Sequence, residues 1–81
     1  MYCVIYKSRK KLDTYLYLST PDDFSRVPEA LLGMFGEPEQ VMELELNPGR
    51  RLAREDVLRV MEALRERGWF LQMPPTPGAA H

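Results

Sequence analysis

The period of the apolar residues changes along this chain, and the order of these changes limits the folds open to it. Residues 2–7 and 14–18 are rich in β-branched and aromatic side chains, which favour strands. The polar stretch 8–13 between them is short enough for a β-hairpin. Residues 41–46 alternate between apolar and acidic side chains, and residues 69–73 form a last apolar run. The sequence therefore predicts four strands.

Three further segments have helical signals. Residues 20–23, Thr-Pro-Asp-Asp, are typical of a helix start, but that helix must be brief because residue 27 precedes a proline. A second helix is predicted over residues 28–35. The third is predicted over residues 52–67, where the apolar side chains fall on one stripe: Val57, Val60, Met61 and Leu64.

The resulting element order is β-β-α-α-β-α-β, and 81 residues allow one domain. We expect the α/β (α+β) class, as a two-layer sandwich in which the helices pack on one face of a four-stranded sheet. The pattern leaves the strand order open. We expect residues 1–75 to form the domain and residues 76–81 to be a flexible tail.

Composition excludes several function classes. The net charge is −1, so a nucleic-acid interface must be a local patch. The one cysteine, Cys3, cannot form an internal disulfide, and the one histidine, His81, is at the far end of the chain. We therefore expect no metal site, cofactor or cysteine nucleophile. No apolar run approaches the length of a membrane span, and we expect a cytoplasmic protein.

The first candidate site is the segment Asp22, Asp23 and Arg26. An arginine fork grips oxyanions in pairs, so Arg26 is a candidate anion-binding group. In the structural alternative, the two carboxylates cap a turn, Phe24 packs in the core and Arg26 pairs with one of the carboxylates.

The second candidate is the hairpin loop, which has four cations in five residues: Lys7, Arg9, Lys10 and Lys11. Such a tip can contact phosphates, and its affinity would fall steeply with salt. The alternative is a solvated hairpin end that discourages edge-to-edge aggregation. A second basic cluster, Arg50, Arg51 and Arg54, is soon followed by acidic residues, which weakens it as a phosphate track.

The third candidate is a tyrosine surface. If Lys7 pairs with Asp13 in the hairpin, Tyr15 and Tyr17 share one face of the sheet beside basic residues, as in the stacking platforms of single-strand RNA binders. We expect the glutamates of residues 41–46 to share that face and to repel phosphate. The alternative is that the tyrosines pack into the core.

Five segments, in order and at similar spacing, resemble the YcgL family of small bacterial proteins. They are Cys3-Val4-Ile5-Tyr6-Lys7-Ser8, Thr14-Tyr15-Leu16-Tyr17-Leu18, Asp22-Asp23-Phe24-Ser25-Arg26-Val27-Pro28, Phe35-Gly36 with Pro38, and Gly68-Trp69-Phe70-Leu71-Gln72-Met73-Pro74-Pro75. The resemblance covers nearly the whole chain. It implies a compact α/β sandwich in a cytoplasmic bacterial protein, and it brings no catalytic residues with it.

Together these features favour a non-enzymatic interaction module that binds protein or nucleic acid. For a nucleic acid, the expected phosphate contacts are Lys7, Arg9, Lys10, Lys11 and Arg26. The alternative is a small enzyme or enzyme subunit that completes a site around Asp22, Asp23 and Arg26 by oligomerising.

Overall fold

A computed structural model describes residues 1–52 and 55–74 of the chain. The predicted domain end at residue 75 and the predicted tail over 76–81 lie outside those residues. The helices and strands are β1 (Tyr2–Ser8), β2 (Tyr15–Leu18), α1 (Glu29–Phe35), β3 (Pro38–Glu45), α2 (Val57–Glu66) and β4 (Trp69–Gln72). The predicted α+β class and the four strands are confirmed.

The four strands form one antiparallel sheet in the order β3-β1-β2-β4. In the hairpin, Lys7 lies opposite Tyr15, two residues from the predicted pairing with Asp13. Because side chains alternate with period two, a shift of two residues leaves every side chain on its predicted face. The hairpin loop is held by Ser8, whose backbone N–H donates to Thr14 O at 2.9 Å.

Helices α1 and α2 cover opposite faces of the sheet, so the predicted arrangement with both helices on one face is corrected. On the α1 face, Phe35 packs with the strand residues Val4, Tyr6, Leu16 and Leu18. On the α2 face, Cys3, Ile5 and Tyr17 pack with the helix residues Val57, Val60 and Leu64. The molecule therefore has three layers, with the sheet in the middle.

The physical reason lies in the two central strands. Four consecutive residues of β1 (3–6) and three of β2 (16–18) are buried, so both faces of the sheet centre need an apolar cover. Strands buried on both faces have continuous apolar runs instead of alternation. Residues 2–7 and 14–18 are such continuous apolar runs, and they indicate a sheet covered on both faces instead of one.

The brief helix predicted at residues 20–23 does not form. The segment makes two separate turns, closed by hydrogen bonds from Asp23 N to Thr20 O at 3.3 Å and from Val27 N to Phe24 O at 3.0 Å. Asp22 has a φ of 59°, a left-handed conformation that no α-helix contains.

Helix α2 begins at Val57, later than the predicted residue 52. Asp56 precedes it as the N-cap, and its side chain accepts a hydrogen bond from Leu58 N at 2.9 Å. A short polar side chain in this position satisfies a backbone donor that the first turn leaves unpaired. No helix in the described ranges has the length and apolar character needed to cross a bilayer.

Candidate nucleic-acid interface

The hairpin tip carries the basic residues that the sequence singled out, but two of them share a carboxylate. Glu39 on the neighbouring strand β3 lies 3.8 Å from Lys7 Nζ and 3.6 Å from Arg9 Nε. All three side chains are about half exposed. Ion pairs in such positions contribute about 0–1 kcal/mol, so a phosphate can replace Glu39 at little cost.

The other two cations of the tip have different surroundings. Lys10 Nζ donates to Gly33 O at 3.2 Å, one of the carbonyls that the last turn of α1 leaves unpaired. Its stem lies against Gly36, whose φ of 77° suits glycine. Lys11 is exposed and forms no ion pair with any described residue. The tip therefore presents Lys7, Arg9 and Lys11, whereas Lys10 stabilises the end of a helix.

The two aspartates of the Asp22–Arg26 segment hold turns, as the structural alternative predicted. The Tyr6 hydroxyl donates to Asp22 Oδ1 at 3.1 Å and accepts from Asp22 N at 2.7 Å. Asp23 Oδ1 accepts from Ser25 Oγ at 2.6 Å and from Ser25 N at 3.1 Å. These bonds from Ser25 lower the pKa of Asp23. Phe24 packs beside the core of the α1 face.

Arg26 has a partner that the sequence did not suggest. Its Nη2 donates to Glu66 O at 2.7 Å, at the C-terminus of α2. The Arg26 side chain also lies beside Gly68, whose carbonyl accepts a hydrogen bond from Ser19 N at 3.1 Å. A cation there satisfies an unpaired carbonyl and complements the helix dipole. Ser19 follows β2 at the end remote from the hairpin, so Arg26 and the hairpin tip do not form one site.

A groove crosses the α2 face next to the hairpin tip, and we call it the α2-face groove. It has a volume of about 630 Å³, within the range of about 300–1,000 Å³ typical of small-molecule sites. It exists because α2 leaves the β3 side of the sheet uncovered, where Met42 is 50% exposed. Its lining comprises Ile5, Lys7, Tyr15, Tyr17, Val41, Met42, Leu44, Arg50, Arg51, Leu52 and Gln72.

The predicted repulsion by glutamates on this face is wrong. Glu43 lies opposite Val4 and Glu45 lies opposite Tyr2, and opposed residues of antiparallel strands point to the same face. Both glutamates are therefore on the α1 face, where Glu43 accepts a hydrogen bond from the Tyr2 hydroxyl. That bond raises the pKa of Tyr2 to about 12.

The two tyrosines of the groove differ in how firmly the fold holds their side chains. The Tyr17 hydroxyl donates to Gln72 Oε1 at 2.8 Å and its ring packs edge-on against Phe70. Tyr17 is buried in the core of the α2 face, as the structural alternative predicted, and this burial raises its pKa to about 12. Tyr15 is only half-buried, and its hydroxyl makes no hydrogen bond with residues 1–52 or 55–74.

Arg50 and Arg51 are the groove residues that sequence reasoning undervalued. Their basic cluster was visible, but its position depends on the loop after β3 returning over the sheet. Arg50 Nη1 donates to Glu45 O at 3.4 Å, and Arg51 is exposed. The third member of the cluster, Arg54, lies outside the described residues. The groove thus combines an apolar floor with cations from strand β1 (Lys7) and from the loop after β3 (Arg50 and Arg51).

The described residues offer little for covalent or metal chemistry. Cys3 is fully buried, and burial raises the pKa of its thiol to about 11, which disfavours the reactive thiolate. No group of three or more His, Cys, Asp or Glu side chains in the described ranges is arranged to hold a metal ion.

Comparison with known proteins gives one consistent family. The model of the YcgL domain matches residues 3–75. A YcgL domain-containing protein of Aeromonas hydrophila is 51% identical over 77 residues, which span 95% of this chain and 83% of the relative. Protein YcgL of Salmonella arizonae is also 51% identical, over 95% of this chain and 70% of its own length. A YcgL domain-containing protein of Shewanella denitrificans is 51% identical over 93% of this chain and 79% of its own. The predicted resemblance is confirmed, and the chain belongs to the YcgL family.

Proposed function

We propose that this protein is a non-enzymatic interaction module that binds single-stranded nucleic acid across the hairpin tip and the α2-face groove. One observation carries the proposal: Lys7 and Tyr15 line both the tip and the groove. The cations of the tip and those of the groove therefore border one continuous surface. Clustered cations with an exposed aromatic ring are the usual means of holding a single strand without sequence-specific contacts.

The charges of this surface support an anionic ligand although the whole chain has a net charge of −1. Three lining residues of the groove are cationic and none of its described lining residues is a carboxylate. Two of the acidic residues nearest in sequence, Glu43 and Glu45, belong to the other face. Two carboxylates of the described residues line the tip: Asp13 in the hairpin loop, and Glu39, which is exposed and weakly paired.

The proposed phosphate contacts at the tip are Lys7, Arg9 and Lys11. Lys10 and Arg26 are left out because each already donates to a carbonyl at a helix terminus. We further propose a cytoplasmic location, since the one cysteine is free and buried and free thiols are typical of reducing compartments.

The test is a titration of fluorescently labelled single-stranded RNA and DNA by anisotropy over a series of salt concentrations. The double variant Arg9→Glu with Lys11→Glu removes two proposed phosphate contacts. Each lost contact makes the slope of log K against log salt shallower by about 0.7, so we expect a change of about 1.4 and weaker binding.

The matched control is Arg59→Glu, an equal charge reversal per residue on the exposed side of α2. We expect it to bind like the unmodified protein. If no strand binds at low salt, or if the tip variant and the control behave alike, the proposed function is wrong.

A further inference from the structure

The α2-face groove is built from rows of side chains that cross neighbouring strands. Met42, Ile5 and Tyr17 lie side by side on β3, β1 and β2 and form an apolar row. One row nearer the hairpin tip, Lys7 lies directly opposite Tyr15. An aromatic ring and a cation are thus adjacent at the mouth of an apolar groove.

Of the two tyrosines that line the groove in the described ranges, Tyr15 is the one whose ring can contact a ligand. Tyr17 is fixed by its bond to Gln72 and its contact with Phe70, whereas Tyr15 is half-buried and its hydroxyl has no partner in the described ranges. The Tyr15 ring packs against the core of the α2 face, and this contact holds it in place. A ring held this way loses little freedom when a ligand stacks on it.

The cations of the groove favour an anionic ligand, and its apolar floor favours a ligand that also has a flat apolar part. Lys7 lies next to Tyr15 on the neighbouring strand, and Arg50 and Arg51 line the groove from the loop after β3. In a nucleic-acid strand, each base has a π-face and is flanked by negatively charged phosphates. The base can stack on an aromatic ring while the phosphates contact cations near that ring. A simple inorganic anion would leave the apolar floor unused.

We propose that the α2-face groove holds a nucleobase stacked on Tyr15, with the flanking phosphates beside Lys7 and Arg51. This proposal rests on the proposed function and adds to it a base-binding position distinct from the phosphate contacts of the hairpin tip. Stacking is sequence-tolerant, because every base has a π-face. The groove therefore distinguishes a strand with bases from a bare phosphate chain.

Anisotropy titrations of two labelled strands of equal length, one with bases and one abasic, test the proposal on the unmodified protein. We expect the strand with bases to bind more tightly. Removal of one aromatic ring from a stacked base weakens binding by about 5- to 150-fold, so we expect that loss for Tyr15→Ala. Tyr15→Phe retains the ring and should bind like the unmodified protein.

The matched control is Tyr2→Ala, the same truncation of an exposed tyrosine on the α1 face, and we expect it to leave affinity unchanged. Stacking is not an ionic contact, so Tyr15→Ala should also leave the salt slope unchanged, unlike the charge reversals at the tip. If Tyr15→Ala fails to fold, the comparison of the two strands on the unmodified protein still decides the question.

Three results would overturn the base-binding proposal while leaving the proposed function intact. They are equal affinity for the abasic strand, unchanged affinity of a folded Tyr15→Ala variant, and equal loss in the Tyr2→Ala control. A polyglutamate peptide that binds as tightly as the strand with bases would overturn it in favour of an acidic protein partner. Absence of binding to any strand would overturn both proposals.

Discussion

Replacement of Arg26 by alanine separates its structural role from a role in ligand binding. The Arg26 side chain donates to Glu66 O at 2.7 Å at the surface of the protein. A hydrogen bond in such a position contributes about 1 kcal/mol net, because water replaces it in part when it is lost. For a domain of 60–100 residues, a loss of 1 kcal/mol lowers the melting temperature by about 4–8 °C.

The assay is thermal unfolding followed by far-UV circular dichroism, with Arg59→Ala as the control on the exposed side of α2. We expect Arg26→Ala to melt about 4–8 °C lower, and the control to change the free energy of unfolding by less than about 0.5 kcal/mol. An unchanged melting temperature for Arg26→Ala would refute the helix-terminus role. In that case Arg26 would again be a candidate for ligand binding.

Two further predictions concern the core. Phe35 is fully buried on the α1 face, so Phe35→Ala should lower the free energy of unfolding, measured in urea, by about 3–5 kcal/mol. Leu58 is 56% exposed, so Leu58→Ala should cost far less, and similar costs for the two variants would contradict the burial of Phe35 between α1 and the sheet. Burial raises the pKa of Cys3 from 9.0 to about 11 and that of Tyr17 from 10.0 to about 12. The unfolded chain therefore loses these protons at lower pH than the folded protein, so stability should fall as pH rises above about 9. Urea midpoints measured from pH 7 to 11 check this, and a midpoint that does not fall would contradict it.

The alternative of an enzyme built around Asp22, Asp23 and Arg26 draws no support from the geometry of these residues. Asp22 is bonded to Tyr6, Asp23 to Ser25, and Arg26 to the end of α2. A side chain already engaged in the fold must give up that bond before it serves a substrate. The hydrogen bonds of these residues therefore stabilise the fold, and the Arg26→Ala experiment measures one such contribution.

Local sequence was sufficient to predict the strands and which side chains within one strand share a face. Alternation has a period of two wherever the strand is extended, so Tyr15 and Tyr17 were assigned to one face despite a pairing error of two residues. The continuous apolar runs of β1 and β2 also contain the signal for a sheet covered on both faces. The family resemblance could likewise be predicted from short motifs that occur in the same order as in the family.

Contacts between distant segments were decided only by the tertiary structure. The face on which Glu43 and Glu45 lie depends on how β3 pairs with β1, about forty residues earlier, and a shift of one residue reverses it. The partner of Arg26 is likewise 40 residues away, on a helix terminus. The α2-face groove also depends on long-range contacts, because its cations come from β1 and from the loop after β3, and its apolar floor comes from three strands. The amino-acid sequence specifies which side chains are present, and the long-range pairing of the strands brings particular ones into contact.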